Sequence, residues 1–285
     1  MIPSWLISIR GRVPRGSALI LGVIPILVLV LLWWVLTRGA PEERALGPTI
    51  LPSPAEVVAS LHDLVTTSDP DNRTLYDHIG ISLRRVGLGF VLALAIVFPL
   101  GIFMGSLGSV RALFEPLMTA SGYIPIATLV PLTMSWFGLD EIQKVVFLAM
   151  AFGIYLLPLV ITAIDGVPDV YLRTAYTLGA GRWHVILRVL VPVAMPRIWH
   201  SMRLAFGIGW TYLVLAEVVV KAGGLGDLID TARRRAMSGR VYLVIVIITL
   251  IAWVADLLWA RIGDLLFPYQ RSRTLVRAKV PPTHP

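Results

Sequence analysis

The chain contains no cysteine. That excludes disulfide frameworks, cysteine zinc sites, iron–sulfur clusters and cysteine nucleophiles, and says little about compartment. Charge is scarce: 15% of the 285 residues are Asp, Glu, Lys or Arg, against about a quarter in soluble domains. No Gly-Lys pair occurs, so there is no G-x-x-x-x-G-K-[ST] phosphate loop. His-Glu-x-x-His and Gly-x-Ser-x-Gly are missing as well. His62, His78, His184, His200 and His284 lack ligand spacing. No catalytic residue, no metal site and no cofactor bound by this chain are therefore expected, and the chain is not read as an enzyme by itself.

Apolar sequence is abundant. Hydrophobic residues make up 56% of the chain, and the mean hydropathy of +0.79 is too high for a soluble domain around one core. A membrane-spanning helix needs about 20 apolar residues. Residues 17–37, 86–110, 116–139 and 145–164 carry no charge; 204–220 is interrupted only by Glu217, and 241–260 only by Asp256. We read an all-α polytopic membrane protein, one domain over 1–285, with six spans near 18–36, 86–108, 116–138, 145–164, 200–220 and 241–262.

The net charge is +8, but the arginines flank apolar runs in the manner of membrane topology signals. Lipid is the expected partner and nucleic acid is not. Arg10, Arg12 and Arg15 precede the first run as in a signal peptide, yet the run is long and lacks a small-x-small cleavage site before Arg38; an uncleaved anchor is the better reading. The positive-inside rule puts this cluster in the cytoplasm, and six spans return Arg271, Arg273, Arg277 and Lys279 to the same side. The acidic segment with Glu42, Glu43, Asp63, Asp69, Asp71 and Asp77 then lies outside. Lys221, Arg233, Arg234, Arg235 and Arg240 break the rule, since the same topology puts them outside. Charge alone does not decide the orientation.

Local signals refine this outline. Pro52-Ser53-Pro54 reads as a turn in which Ser53 caps a helix and Pro54 takes its first position; Ala55, Val58, Ala59 and Leu61–Leu64 give that helix an apolar face. Gly101 and Gly105 form a small-xxx-small pair. Pro116, Gly122, Pro125 and Pro131 predict a bent third span, with Pro125 and Pro131 lining a pathway; bundle packing is the plainer account of such breakers. Glu217 has two readings, a gate or a carboxylate paired near the outer interface. Asp256, Arg261 and Asp264 are expected to snorkel or pair with one another, and Arg84 and Arg85 to sit at the interface.

A long loop separates the fourth and fifth spans, residues 165–192. Asp169 is a plausible N-cap after Pro168. Leu172, Ala175, Tyr176 and Gly179 share one helical face. Gly179-Ala180-Gly181 breaks that helix, and a second helix, Arg182 to Leu190, is expected to stop at Pro192. A loop this ordered is built to be held by something.

Here the sequence resembles the permease subunits of binding-protein-dependent ABC importers. Their cytoplasmic loop motif runs Glu-Ala-Ala, three residues, Gly, nine residues, Ile, one residue, Leu-Pro. Its slots fall on Arg173, Thr174, Ala175, Gly179, Val189, Val191 and Pro192; Arg173 and Thr174 depart from it. Leu51-Pro-Ser-Pro, Ser82 to Phe90, Leu100 to Gly105, Pro131 to Gly138, Ala216-Glu217 and Gly224-Leu-Gly226 look like the nitrate, sulfonate, taurine and bicarbonate branch. The resemblance implies that Leu172, Arg173, Ala175, Tyr176, Gly179, Ala180 and Pro192 belong to a loop that docks on cytoplasmic ATPase subunits, which bind ATP and Mg. It implies a second permease, either another copy in a homodimer or a relative, an extracytoplasmic substrate-binding protein, and an inner-membrane location with both termini cytoplasmic. The solute would be a small anion, and Arg233, Arg234 and Arg235 would attract it or contact an acidic receptor. The rival class is a secondary transporter or channel, which would need its own intramembrane ion site or paired repeats; a membrane-embedded enzyme would need clustered His or acids.

Overall fold

A computed structural model describes residues 13–40, 44, 46–67, 72–219 and 222–269. Arg10, Arg12, Glu42, Glu43, Asp69, Asp71, Lys221, Arg271, Arg273, Arg277 and Lys279 lie outside the described residues. Every regular element among those described is helical. Five helices are long and apolar enough to cross a membrane, six if one bent pair counts as a single span. The chain divides into two compact units, 1–68 with 231–243 and 69–230 with 244–285.

In the first unit, α1 (Arg15–Leu36) is apolar all round and none of its most apolar window is buried, as suits a helix that meets lipid. The second helix, α2 (Pro54–Thr66), starts as its residues dictate. Ser53 Oγ accepts from the Glu56 N–H, the Glu56 carboxylate accepts from the Ser53 N–H, and Pro54 needs no N–H partner at the first position. That Ser53 N–H, joined by Arg44 and against the effect of burial, holds the Glu56 carboxyl below its ordinary value. Val57 and Leu64 are buried while Val58 is 68% exposed, so the expected apolar face is rotated. The segment before α2 is tied down by polar contacts: Trp33 Nε1 donates to the Pro52 carbonyl at 2.8 Å, Ser238 Oγ to that of Thr49 at 2.5 Å, and Tyr242 to that of Ile50 at 3.2 Å.

The second unit is built on α3 (Leu75–Ser106), α6 (Glu141–Asp165) and α9 (Val191–Val218). α3 begins well before residue 86, at a second capping box formed by Thr74 and Asp77. A hydropathy reading misses its first turns because they carry Asp77, His78, Arg84 and Arg85, of which His78 and Arg85 are nonetheless buried. Residues 89, 93, 97, 101 and 105 form one row at spacing four, the ridge along which helices interdigitate. Gly89, Gly101 and Gly105 press on Leu148, Val160 and Ile164 of α6, where an added Cβ would come within 2.7 Å of each. The Gly101–Gly105 pair thus permits close approach, as expected.

This seam carries a prediction with opposite signs at two glycines. Gly87 has nothing within 4 Å of an added Cβ, whereas Gly101 meets the β-branched Val160. Alanine in place of helical glycine gains about 1 kcal/mol where space is open; forced into a packed seam it costs about 1–3 kcal/mol. Gly87→Ala should raise the melting temperature in detergent and Gly101→Ala should lower it. Equal shifts would mean that the α3–α6 seam is not close-packed.

The third span is bent, as expected, but it starts before residue 116 and is two helices and not one. It is α4 (Gly108–Gly122), a 3₁₀ turn (Ile126–Thr128) and α5 (Leu129–Phe137), bent by 90°. Pro125, which lacks an N–H, occupies the break, and its carbonyl accepts both the N–H and the hydroxyl of Thr128 at 2.9 and 2.7 Å. At 15 and 9 residues the two halves are about 22 and 13 Å long; neither alone crosses about 30 Å of hydrocarbon. Pro131 sits in the first turn of α5, where proline is tolerated. Both prolines are exposed on this chain.

After α6 come α7 (Asp169–Thr177) and α8 (Arg182–Val185), then a π turn (Ile186–Leu190) that runs directly into α9. Pro192 does not stop the helix. It stands in the first turn of α9, and the wider π turn before it accommodates the missing N–H and the proline ring. Helix is therefore continuous over 182–218, not only the 200–220 expected. The remaining elements are α10 (Leu225–Arg234) and α11 (Ser238–Leu266).

Candidate functional site

Two polar assemblies mark opposite ends of α6. At its C-terminal end lies the α7–α8 loop. Pro168 precedes α7, and Asp169 is its first residue, not the N-cap expected; no side chain caps this end. α7 ends at Gly179, with φ of +79°. The Gly179 N–H donates to the Tyr176 carbonyl at 2.9 Å and the Ala180 N–H to that of Ala175 at 3.0 Å. This is a Schellman motif, which requires a left-handed residue at Gly179. It explains the glycine at position 179.

The loop is moored on one side and open on the other. Asp165 accepts from Arg111 of α4 at 2.9 Å, and the Gly166 carbonyl accepts from Arg197 of α9. Leu172 packs on the core around Ile186, Leu190 and Ile198. Leu172 and Tyr176 also line a 290 Å³ groove with Ser106, Leu107, Arg182 and Ile186. Outward stand Tyr176 (51% exposed), Leu178 (82%) and Trp183 (58%). Arg173 is exposed and 4.0 Å from Asp169, one turn earlier, a pair that contributes a few tenths of a kcal/mol.

At the N-terminal end of α6 lies a buried ionic cluster, and Glu217 is its centre. Its side chain is fully buried. The carboxylate accepts from Arg85 Nη1 at 2.8 Å, from Ser82 Oγ at 2.8 and 2.9 Å, and from the Gly226 N–H at 2.8 Å. That last bond puts negative charge at the N-terminus of α10, where the helix dipole favours it. The guanidinium of Arg85 also reaches Glu141, at 2.9 Å from Nε and by a second contact from Nη2, and the carbonyls of Gly223 at 2.6 Å and Ala222 at 3.1 Å. All five of its donors are engaged. Lys144, fully buried, lies 3.4 Å from Glu141.

The backbone before α10 is shaped to fit this cluster. Gly223 and Gly224 have φ of +76° and +111°, and a Cβ on Gly224 would run into the Glu217 carboxylate. The Gly224 N–H donates to His78 Nδ1 at 3.0 Å and the Leu225 N–H to Ser82 Oγ at 2.8 Å. The assembly joins α3, α6, α9 and the start of α10.

Several expectations change here. Glu217 pairs with an arginine as one reading held, but in the interior and not at an exposed interface. Arg85 is buried in that pair; Arg84 alone is exposed, 3.6 Å from Glu141. Asp256 takes both its bonds, at 2.5 Å, from Arg203 of α9 and not from Arg261. Arg233, Arg234 and Arg235 are exposed. Ser82, His78, Lys144 and Gly223 were missed. The available signal was Glu217 itself: an acid inside a span demands a cation on a neighbouring span.

Among the described residues no group of three His, Asp or Glu could hold a metal. Helices apolar enough to span, a proline-broken third span and a moored loop define a polytopic membrane protein. The chain belongs to the family of binding-protein-dependent transport system inner membrane components, a match that covers residues 97–271. The taurine transport system permease protein TauC of Escherichia coli is 29% identical over 252 residues, 87% of this chain and 89% of that one. The putative aliphatic sulfonates transport permease protein SsuC of Bacillus subtilis is 29% identical over 211 residues, 73% and 74% of the two chains. An inward-facing structure of the MetNI methionine ABC transporter shares the fold, with a TM-score of 0.60 over 70% of this chain and 99% of that one, at 17% identity. The protein is thus a permease subunit of a binding-protein-dependent ABC importer.

Proposed function

We propose that this permease imports a small anion, with sulfonates such as taurine the first class to test, and that ATPase subunits dock on the α7–α8 loop. The observation that carries the docking reading is the combination of a Schellman-locked α7 moored by Asp165 and Gly166 with the outward Tyr176, Leu178 and Trp183. Exposed apolar side chains beside basic ones, Arg173 and Arg182, are the make-up of an interface rather than of a solvated turn. ATP and Mg belong to the partner ATPase. The names of TauC and SsuC motivate the choice of solute.

In this reading the α7–α8 loop and both termini face the cytoplasm, in the inner membrane. A second permease copy completes the path, which Pro125 and Pro131 at the broken span help to line. The α10 side then faces an extracytoplasmic binding protein, and Arg233, Arg234 and Arg235 meet the anion or an acidic receptor surface.

The cysteine-free chain makes orientation easy to test, because it has no background thiol. Thr67 and Thr177 are both exposed. In intact cells Thr67→Cys should react with an impermeant thiol reagent and Thr177→Cys should react only after permeabilisation. The reverse pattern refutes the orientation and with it ATPase docking on α7.

A further inference from the structure

We propose that the hydroxyls of Tyr155 and Tyr212 form a solute-contact site within the membrane, and that they donate to the sulfonate oxygens of the passing substrate. The proposal rests on the sulfonate reading above. Its starting point is an absence of charge. Residues 86–106 of α3, all of α5, 145–164 of α6 and 204–216 of α9 contain no Asp, Glu, Lys or Arg. An anion that crosses beside these segments must be met by neutral donors.

Most hydroxyls in this zone are already committed. Thr133 donates to carbonyls of its own helix and accepts from Gln143; Ser135 and Thr211 donate to the carbonyls of Pro131 and Ile208. The tyrosines differ. Tyr155, near the middle of the 25-residue α6, and Tyr212 of α9 have their hydroxyl oxygens 2.9 Å apart. Their rings stack with centroids 6.2 Å apart, and both side chains are only half-buried. On α9, Phe206 packs among the aromatic rings of Phe90, Phe152 and Trp259; Tyr212 meets Tyr155 of α6, hydroxyl to hydroxyl.

Two hydroxyls that face each other make one mutual hydrogen bond, in which either donates. The accepting hydroxyl keeps its own proton for a third group. In an apolar zone that spare donor suits an oxyanion, and the ring faces beside it suit the methylenes and ammonium of taurine. The same geometry also suits a plain interhelical clamp, and single substitutions separate the two. If one tyrosine becomes phenylalanine, the other is freed from its partner and still donates to the solute. A clamp is broken completely by either single change.

The test uses the assembled transporter with its ATPase and receptor subunits in proteoliposomes, with taurine as the probe. Taurine imported per ATP hydrolysed should fall less than threefold in Tyr155→Phe and in Tyr212→Phe, and about tenfold in the double variant, since one hydrogen bond to a charged group is worth roughly a factor of ten. Receptor-stimulated ATP hydrolysis should stay at the wild-type level in all three. Single variants that lose as much import as the double, or a double variant that fails to fold, make the pair a clamp and overturn the proposal. Tyrosine variants equal to a wild type that imports taurine overturn it alone. A wild type that imports neither taurine nor another sulfonate overturns the substrate reading and this proposal together.

Discussion

Glu217→Ala should yield little folded transporter: a shifted or aggregated profile on size exclusion in mild detergent, and a melting temperature far below wild type for what remains. The change strands Arg85, a fully buried guanidinium, beside a carboxylate it must share with Lys144. Breaking a buried ion pair from one side costs about 3–5 kcal/mol. It also removes the acceptor for the Gly226 N–H and for Ser82 Oγ, and buried donors without partners cost about 1–3 kcal/mol each. Glu217→Gln should fall between, because the amide oxygen still accepts while the charge on Arg85 is left to Glu141 alone. The gate reading predicts a different pattern, with Glu217→Gln folding as wild type and altering only transport. A Glu217→Ala protein with wild-type melting behaviour would show that the cluster does not hold α3, α6, α9 and α10 together.

The cluster marks where reading the sequence stops. Uncharged runs identify spans because lipid imposes one simple rule on every residue in contact with it. That rule located α1, α6 and α11 to within a few residues at each end. It failed at the start of α3, where Arg84 and Arg85 look like the edge of a span, because hydropathy scores a side chain without its partner. Arg85 and Glu217 are 132 residues apart in sequence, and nothing local to either announces the other.

Proline was misread for a related reason. Pro125 does break a span, since its carbonyl and the Thr128 hydroxyl offer the backbone another way to be satisfied. Pro192 does not, since the π turn before it takes up the strain. Gly179 was readable because its requirement is local: a helix closed by a Schellman motif needs a left-handed residue at that position.

Gly179→Trp should leave the permease folded and inserted but unable to hold its ATPase. The backbone at Gly179 has a positive φ, so any side chain with a Cβ costs about 1 kcal/mol or somewhat more. That penalty falls on one turn of a moored loop and leaves the seams between the spans untouched. Nothing in this chain lies within 4 Å of a Cβ built on Gly179. The added side chain therefore starts into open space, on the face where the proposed docking would bring the partner. Gly179→Asn separates backbone from bulk, because asparagine tolerates the left-handed conformation better than other residues with a side chain. The Asn variant should retain the ATPase on affinity purification through the permease, and the Trp variant should lose it together with ATP-driven uptake, while both reach the membrane at wild-type levels. If both variants lose the partner, a small side chain at Gly179 is already too much and the bulk of the indole is not the cause. If the Trp variant holds the ATPase with wild-type affinity and transports normally, the ATPase docks somewhere other than α7.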